Sequence, residues 1–281
     1  MFDLLHYGFM QRALLGSFLV GTVCSLIGVY VVLRGMAFMG DGIAHASFGG
    51  VTLGFLLGIN PLFTAIIFAL GTAGLIQFAR RRAQIRLDTA IGIFFSFTMA
   101  LAILFIGLMR GYDARLYGYL FGNVLGMSSG NLALTGVLAV LVLAAIVLLF
   151  KEFKFLAFDE EAARAAGLPT PVLSTLLLLL VALTIVVSIK AVGIILVASL
   201  LVAPAATAYQ LTNRFGTMLF LSWLSGIASC LSGMFISYWL NIPSGASIVL
   251  VATLLFGVAA VLSPKRRPCK ACAAETTSHV H

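Results

Sequence analysis

Read for polarity alone, the chain is a series of long apolar runs separated by short charged or glycine-bearing joints. Nine runs are long enough, or nearly so, to cross a bilayer as helices: roughly 9–33, 36–58, 61–79, 87–109, 131–150, 171–189, 191–210, 215–239 and 245–263. The joint between the sixth and seventh is marked only by Lys190 and Gly193, so eight spans is the alternative count. The pattern predicts an all-α polytopic membrane protein. Its transmembrane domain covers 1–263, and the polar tail over 264–281 is expected to be disordered. The stretch 112–130 is less apolar and glycine-rich. It reads as an outer loop whose Tyr117, Tyr119 and Phe121 suit the membrane interface.

The basic residues orient these spans. With nine spans and the N-terminus outside, every Lys and Arg except Arg12, Arg110, Arg115 and Lys190 falls on the cytoplasmic side, as does the C-terminus. Composition agrees with the pattern. The 281 residues are 62% hydrophobic and 9% charged, against about 25% charged in an ordinary soluble domain. The net charge of +8 therefore reads as a topology signal in short loops and does not point to nucleic acid.

Small residues and one proline mark how the spans would pack. Gly50, Gly54 and Gly58 recur every fourth position in the second span and allow another helix close, either within the chain or from a second copy. Pro204 should bend the seventh span. Cys24 and Cys230 lie in apolar runs and read as small buried hydrophobes. In the longest cytoplasmic loop, 151–170, a short helix is expected over about 158–168. Asp159 can cap it, Glu160 and Glu161 fill its first turn, and Gly167 with Pro169 stops it. It is either a plain connector or a helix that docks into a groove on a soluble partner.

The candidate chemistry lies in Gly40–Gly50. Asp41 and His45 stand four residues apart, on one face of a helix, and are the only acid and the only histidine deep in any apolar run. A carboxylate at membrane depth costs about 2.5–3.5 kcal/mol even on the mildest scale. Counted from Arg34, Asp41 lies about 10 Å and His45 about 16 Å into the membrane at 1.5 Å per residue. The pair can be half of a metal site, a proton relay, or a packing element that pairs internally or caps a broken helix. Two ligands do not complete a transition-metal site. A second copy related by a two-fold axis would supply the other two, and Gly42, Ala46, Gly49 and Gly50 would let it approach.

The tail offers Cys269, Cys272, His279 and His281 as a second candidate metal set; its C-x-x-C spacing fits zinc and its H-x-H spacing does not. No G-x-x-x-x-G-K-[ST] phosphate loop and no nucleophile with a base is present, so the chain is not expected to be an enzyme or to hydrolyse ATP itself.

Five landmarks in order resemble the membrane permeases of ABC importers for zinc and manganese. They are Gly40-Asp41 with Ala44-His45-Ala46-Ser47, Leu87-Asp88-Thr89-Ala90-Ile91-Gly92-Ile93, Tyr119-Leu120-Phe121-Gly122-Asn123, Phe158-Asp159 through Ala163 to Gly167, and Leu200–Ala208 with Pro204. The resemblance runs from about Leu14 to Ser263. It implies a homodimeric permease of the type II importer class in a bacterial inner or plasma membrane. A cytoplasmic ABC ATPase dimer would supply ATP, and an extracytoplasmic metal-binding protein would deliver the ion. It further implies that Asp41 and His45 of both copies are transient metal ligands. The segment holding Asp159, Glu160, Ala163, Arg164 and Gly167 would be the coupling helix that meets the ATPase. No cofactor is expected to be permanently bound. The residues around His45 look most like the zinc branch, so zinc is the expected cargo. The alternatives are manganese or iron(II), or a stand-alone proton-coupled carrier.

Overall fold

The structure, a computed structural model, describes residues 7–83, 85–109 and 115–263. These form α1 (Gly8–Leu33), α2 (Ala37–Leu57), α3 (Pro61–Ala83), α4 (Leu87–Leu108), α5 (Arg115–Phe121), α6 (Ser129–Leu148), α7 (Phe150–Phe158), α8 (Glu160–Ala165), α9 (Thr170–Val192), α10 (Val197–Leu211), α11 (Phe215–Leu240) and α12 (Ser244–Leu262). Seven of them, α1, α3, α4, α6, α9, α11 and α12, are long and apolar enough to cross a membrane. The 21-residue α2 and the 15-residue α10 fall on the two remaining apolar runs. The all-helical expectation therefore holds, helix by run. The tail candidates Cys269, Cys272, His279 and His281 lie outside the described residues.

The joints use residues that tolerate a left-handed backbone. Gly35 (φ 65°) ends α1 and Gly58 (φ 68°) ends α2. Asn60 Oδ1 then accepts from Leu62 N at 3.0 Å as Pro61 opens α3. The weakly marked joint between α9 and α10 is real. Gly193 (φ 90°) breaks the helix, and residues before Val197 are irregular. Unpaired backbone at such depth would be costly, and here it is paired with α5 and the loop after it. Ile194 N donates to Tyr119 O at 2.9 Å and Asn123 N donates to Lys190 O at 2.9 Å. Lys190 Nζ lies 3.9 Å over the Tyr119 ring, which ties the same two segments together.

The interior is built around α1 and α9, which bury most of their length, while α4, α6 and α12 expose most of theirs. Tyr30 and Phe153 are fully buried where α1 meets α7, their rings edge-on at 5.9 Å. Gly21 and Gly226 let α1 and α11 cross closely, and Ser222 Oγ donates to Ser25 O at 2.7 Å along the same seam. Cys24 and Cys230 are both buried, as expected, and Cys24 Sγ sits 2.9 Å from Ser188 Oγ. On the other side, α2 packs between α3 and α4 and also touches α9 and α10.

Arg34, Arg80, Arg86 and Glu160 line one cavity, and Arg81 reaches Thr175 near the start of α9. The basic joints thus gather at one end of the bundle, and α5 with Lys190 closes the other.

Candidate functional site

Asp41 lies in the second turn of α2 and His45 one turn later. His45 Nε2 stands 3.6 Å from Asp41 Oδ1, beyond hydrogen-bond reach. The two are within ion-pair range but too far apart for a hydrogen bond, so each keeps capacity for a further partner. The Asp41 side chain is 50% exposed and that of His45 21%. The imidazole is fixed by Phe95 of α4, edge-on at 5.0 Å.

Asp41 opens into two cavities. One, of about 450 Å³, is walled by α10 and α12 and includes Ser199, Val202 and Thr253. The other, of about 410 Å³, runs along α4 and includes Gly42, Asp88, Ile91, Gly92 and Phe95. Phe38 borders both and is 76% exposed. Among the described residues no three His, Cys, Asp or Glu side chains come together as a metal-binding group. One copy of the chain therefore brings two ligand-type groups to this point, Asp41 open to both cavities and His45 mostly covered beside it.

The small residues around the pair have another use than the one expected. A Cβ on Gly50 would sit 2.5 Å from Thr64 O and 2.7 Å from Ala65 Cα, and one on Gly54 would sit 2.7 Å from Pro61 Cα. These glycines seat α3 inside the same chain. Gly49 faces Phe68 and the carbonyl of Thr98, Gly42 faces Ile91, and Ala46 is buried. The expectation that Gly42, Ala46, Gly49 and Gly50 form a flat face for a second copy is thus corrected. They hold α2 against α3 and α4 so that Asp41 is what remains outward. Ser47 and Thr52 donate to the carbonyls of Ile43 and Gly49 in their own helix, at 2.8 and 2.9 Å.

In the sequence Asp88 stands out only as part of a landmark, yet it shares a cavity with Asp41. Its position in the first turn of α4 placed it at the edge of a span, outside the count of deep acids. It also lines a second cavity of about 560 Å³ at the basic end, with Arg34, Arg80, Arg86 and Glu160.

The expected helix over 158–168 resolves into the end of α7, a break at Asp159 and the short α8. Asp159 Oδ1 accepts from Ala162 N at 2.8 Å, the expected cap, and Gly167 (φ 84°) ends the segment. Glu161, Arg164, Ala165 and Ala166 are exposed, but Ala163 is fully buried against the body of the protein. Glu160 is only partly exposed and points back toward Arg34 and Arg164.

Compared with known proteins, residues 6–263 match the ABC 3 transport family. The "Manganese transport system membrane protein MntC" of Listeria innocua is 41% identical over 263 residues, covering 94% of each chain. The "Probable iron transport system membrane protein" of Haemophilus influenzae is 38% identical over 266 residues, covering 93% of this chain and 96% of that one. Among solved structures, one described as PsaBC from Streptococcus pneumoniae in complex with Fab superposes with a TM-score of 0.85 at 37% identity. It covers 96% of this chain and 97% of that chain. The names of these relatives speak of manganese and iron; none of them supports the zinc expected from the residues around His45.

Proposed function

The chain belongs to the ABC 3 transport family as a multi-pass membrane permease of a metal ABC importer, and we propose that its cargo is manganese(II), held in passing by Asp41 and His45 of two copies. The observation that carries this reading is the placement of these two groups. They sit side by side on α2 at ion-pair distance, with Asp41 half-exposed between two cavities. A carboxylate and an imidazole from each of two copies make a set of two oxygens and two nitrogens. Such a set, split across two moving bodies, can form and open during a transport cycle.

The choice of manganese over zinc rests on the relatives' names, since one oxygen and one nitrogen per chain suit either ion. Iron(II) is the second reading, from the iron-named relative. The oxygen-bearing neighbours Asp88, Ser199 and Thr253 in the same cavities suit a harder ion that prefers more oxygen.

The partners follow from the family. Two copies would sit on a cytoplasmic ATPase dimer, touching it through the exposed face of α8, and a metal-binding protein would dock at the α5 end. ATP binding and hydrolysis occur on the partner, because this sequence has no phosphate loop. The end that gathers Arg34, Arg80 and Arg86 then faces the cytoplasm.

The test is uptake of radioactive manganese into vesicles carrying permease, ATPase and metal-binding protein. Asp41→Ala and His45→Ala should each cut uptake by at least about ten-fold, the usual lower bound for losing a metal ligand or its support. Normal uptake by both variants would reject the ligand assignment. Zinc and iron(II) as competitors in the same assay decide the cargo.

A further inference from the structure

The α8 segment and the α2 helix are far apart in sequence, yet one side chain spans the gap. Arg34 Nη2 lies 2.5 Å from Glu160 Oε2, across 126 residues of chain. Its other terminal nitrogen donates to Ser174 Oγ near the start of α9 at 3.2 Å. The Arg34 side chain is 9% exposed, while Glu160 is 30% exposed and also lies 3.9 Å from Arg164.

Only Gly35 and Met36 separate Arg34 from α2. Their turn is tight: Met36 N donates to Val31 O at 2.9 Å and Met39 N donates to Met36 O at 3.0 Å. Asp41 stands in the next turn of the same helix.

We infer that Arg34 is the positioning residue that links the α8 segment to the metal-bearing helix. Through its bond to Glu160 it passes a displacement of α8 to the start of α2, and so to Asp41. The backbone on both sides of the link supports this. The joint has no slack on the α2 side, because it consists of a two-residue turn closed by backbone bonds. On the α8 side Ala163 is buried and Leu168 N donates to Ala163 O at 3.1 Å, which closes the end of the segment on its own helix.

The charges around the link make it specific. Arg80 and Arg86 share the cavity with Arg34, and Asp88 is the other acid there. Burial pushes the Arg34 guanidinium below its usual value, the Glu160 charge pulls it back, and Arg80 pushes it down again. Glu160 is therefore the counter-charge that a largely buried cation beside a second cation needs. An apolar contact of the same size would tolerate sliding, but a charged pair with a second hydrogen bond to Ser174 holds one register.

The inference rests on the reading of α8 as the ATPase contact, and the experiment separates the two. The full complex of permease, ATPase and metal-binding protein is reconstituted in liposomes, and manganese uptake and ATP hydrolysis are measured in one preparation. Arg34→Gln and Glu160→Gln should each raise the ATP consumed per ion imported by about 5- to 10-fold, a coupling loss at the low end of the usual range. The exchange of charges, Arg34→Glu with Glu160→Arg, should bring the ratio back toward that of the unaltered complex. A ratio that stays unchanged in both single variants would overturn the inference. So would uptake and hydrolysis falling in proportion, or loss of the assembled complex in both, since either gives the pair a folding role only. Ala166→Cys crosslinked to the ATPase is the separate control. If that crosslink fails in an intact complex, the α8 reading itself is wrong; if it forms while the ratio is unchanged, only the link through Arg34 is.

Discussion

Asp41 and Gly50 show how single residues divide the work on α2. Asp41 is exposed because the glycines that flank it are spent on packing. Thr64 and Ala65 of α3 lie so close to Gly50 that any side chain there meets backbone, which cannot step aside. Gly50→Leu should therefore lower stability by about 1–3 kcal/mol, the usual cost of overpacking, with part of the loss seen as poor assembly. Gly74 in α3 has nothing within 4 Å of a built Cβ, so Gly74→Ala should be neutral. Thermal unfolding of the two detergent-purified variants checks this; equal midpoints would show that α2 and α3 are not held as described. At this scale the sequence was legible in part. The four-residue spacing of Asp41 and His45 put them on one face, and they do stand together. The use of Gly50 and Gly54 was open between two readings, because a repeat of small residues says that something comes close but not what.

At the scale of elements, α8 was foreseen from its cap and its stop, both of which form. Which of its faces is free was not foreseen. Ala163 turns inward, while Glu161 and Ala166 turn outward. A cysteine at Glu161 or Ala166 should therefore crosslink to the ATPase in the assembled complex, and one at Ala163 should not. Crosslinking from Ala163 with none from the other two would reverse the assigned face. The helix α7 was missed altogether. Its Phe153 and Leu156 are buried, but Lys151, Glu152 and Lys154 beside them make the stretch read as the start of the cytoplasmic loop 151–170, and only Leu149 separates it from α6. The α9–α10 joint shows the opposite case. Gly193 was the cue, and the backbone bonds from α5 and the residues after it explain why a break is tolerated there.

At the scale of the whole molecule, among the exposed surfaces of the described residues, one borders Asp41. It runs over Phe38, the outward side of Asp41, and the α4, α10 and α12 walls of the two cavities. A second copy covering this surface would set the two Asp41 side chains toward each other. Phe38→Cys, in a background without Cys269 and Cys272, should form disulfide-linked dimers in membranes on mild oxidation, since Phe38 is one turn from Asp41 and exposed. The remaining Cys24 and Cys230 are buried and should not contribute. Dimers that form equally well from a cysteine at Val147 on α6, a residue that lines neither cavity and is 72% exposed, would argue against the two-fold contact at α2.

The amino-acid sequence by itself determined the helical spans, the family and the pairing of Asp41 with His45. These depend on local quantities: apolar length, charge asymmetry, and the 3.6-residue turn that brings position i beside i+4. Tertiary structure alone decided three things. It assigned the glycines of α2 to α3 and α4, it brought Asp88 to the cavity of Asp41, and it joined Arg34 to Glu160. Each joins residues from separate helices, and no periodicity along one helix can specify which faces of two helices meet. The stretch Gly40–Gly50 carries both lessons: its polar pair was readable from spacing, and the reason that pair stands open was readable only from what packs behind it.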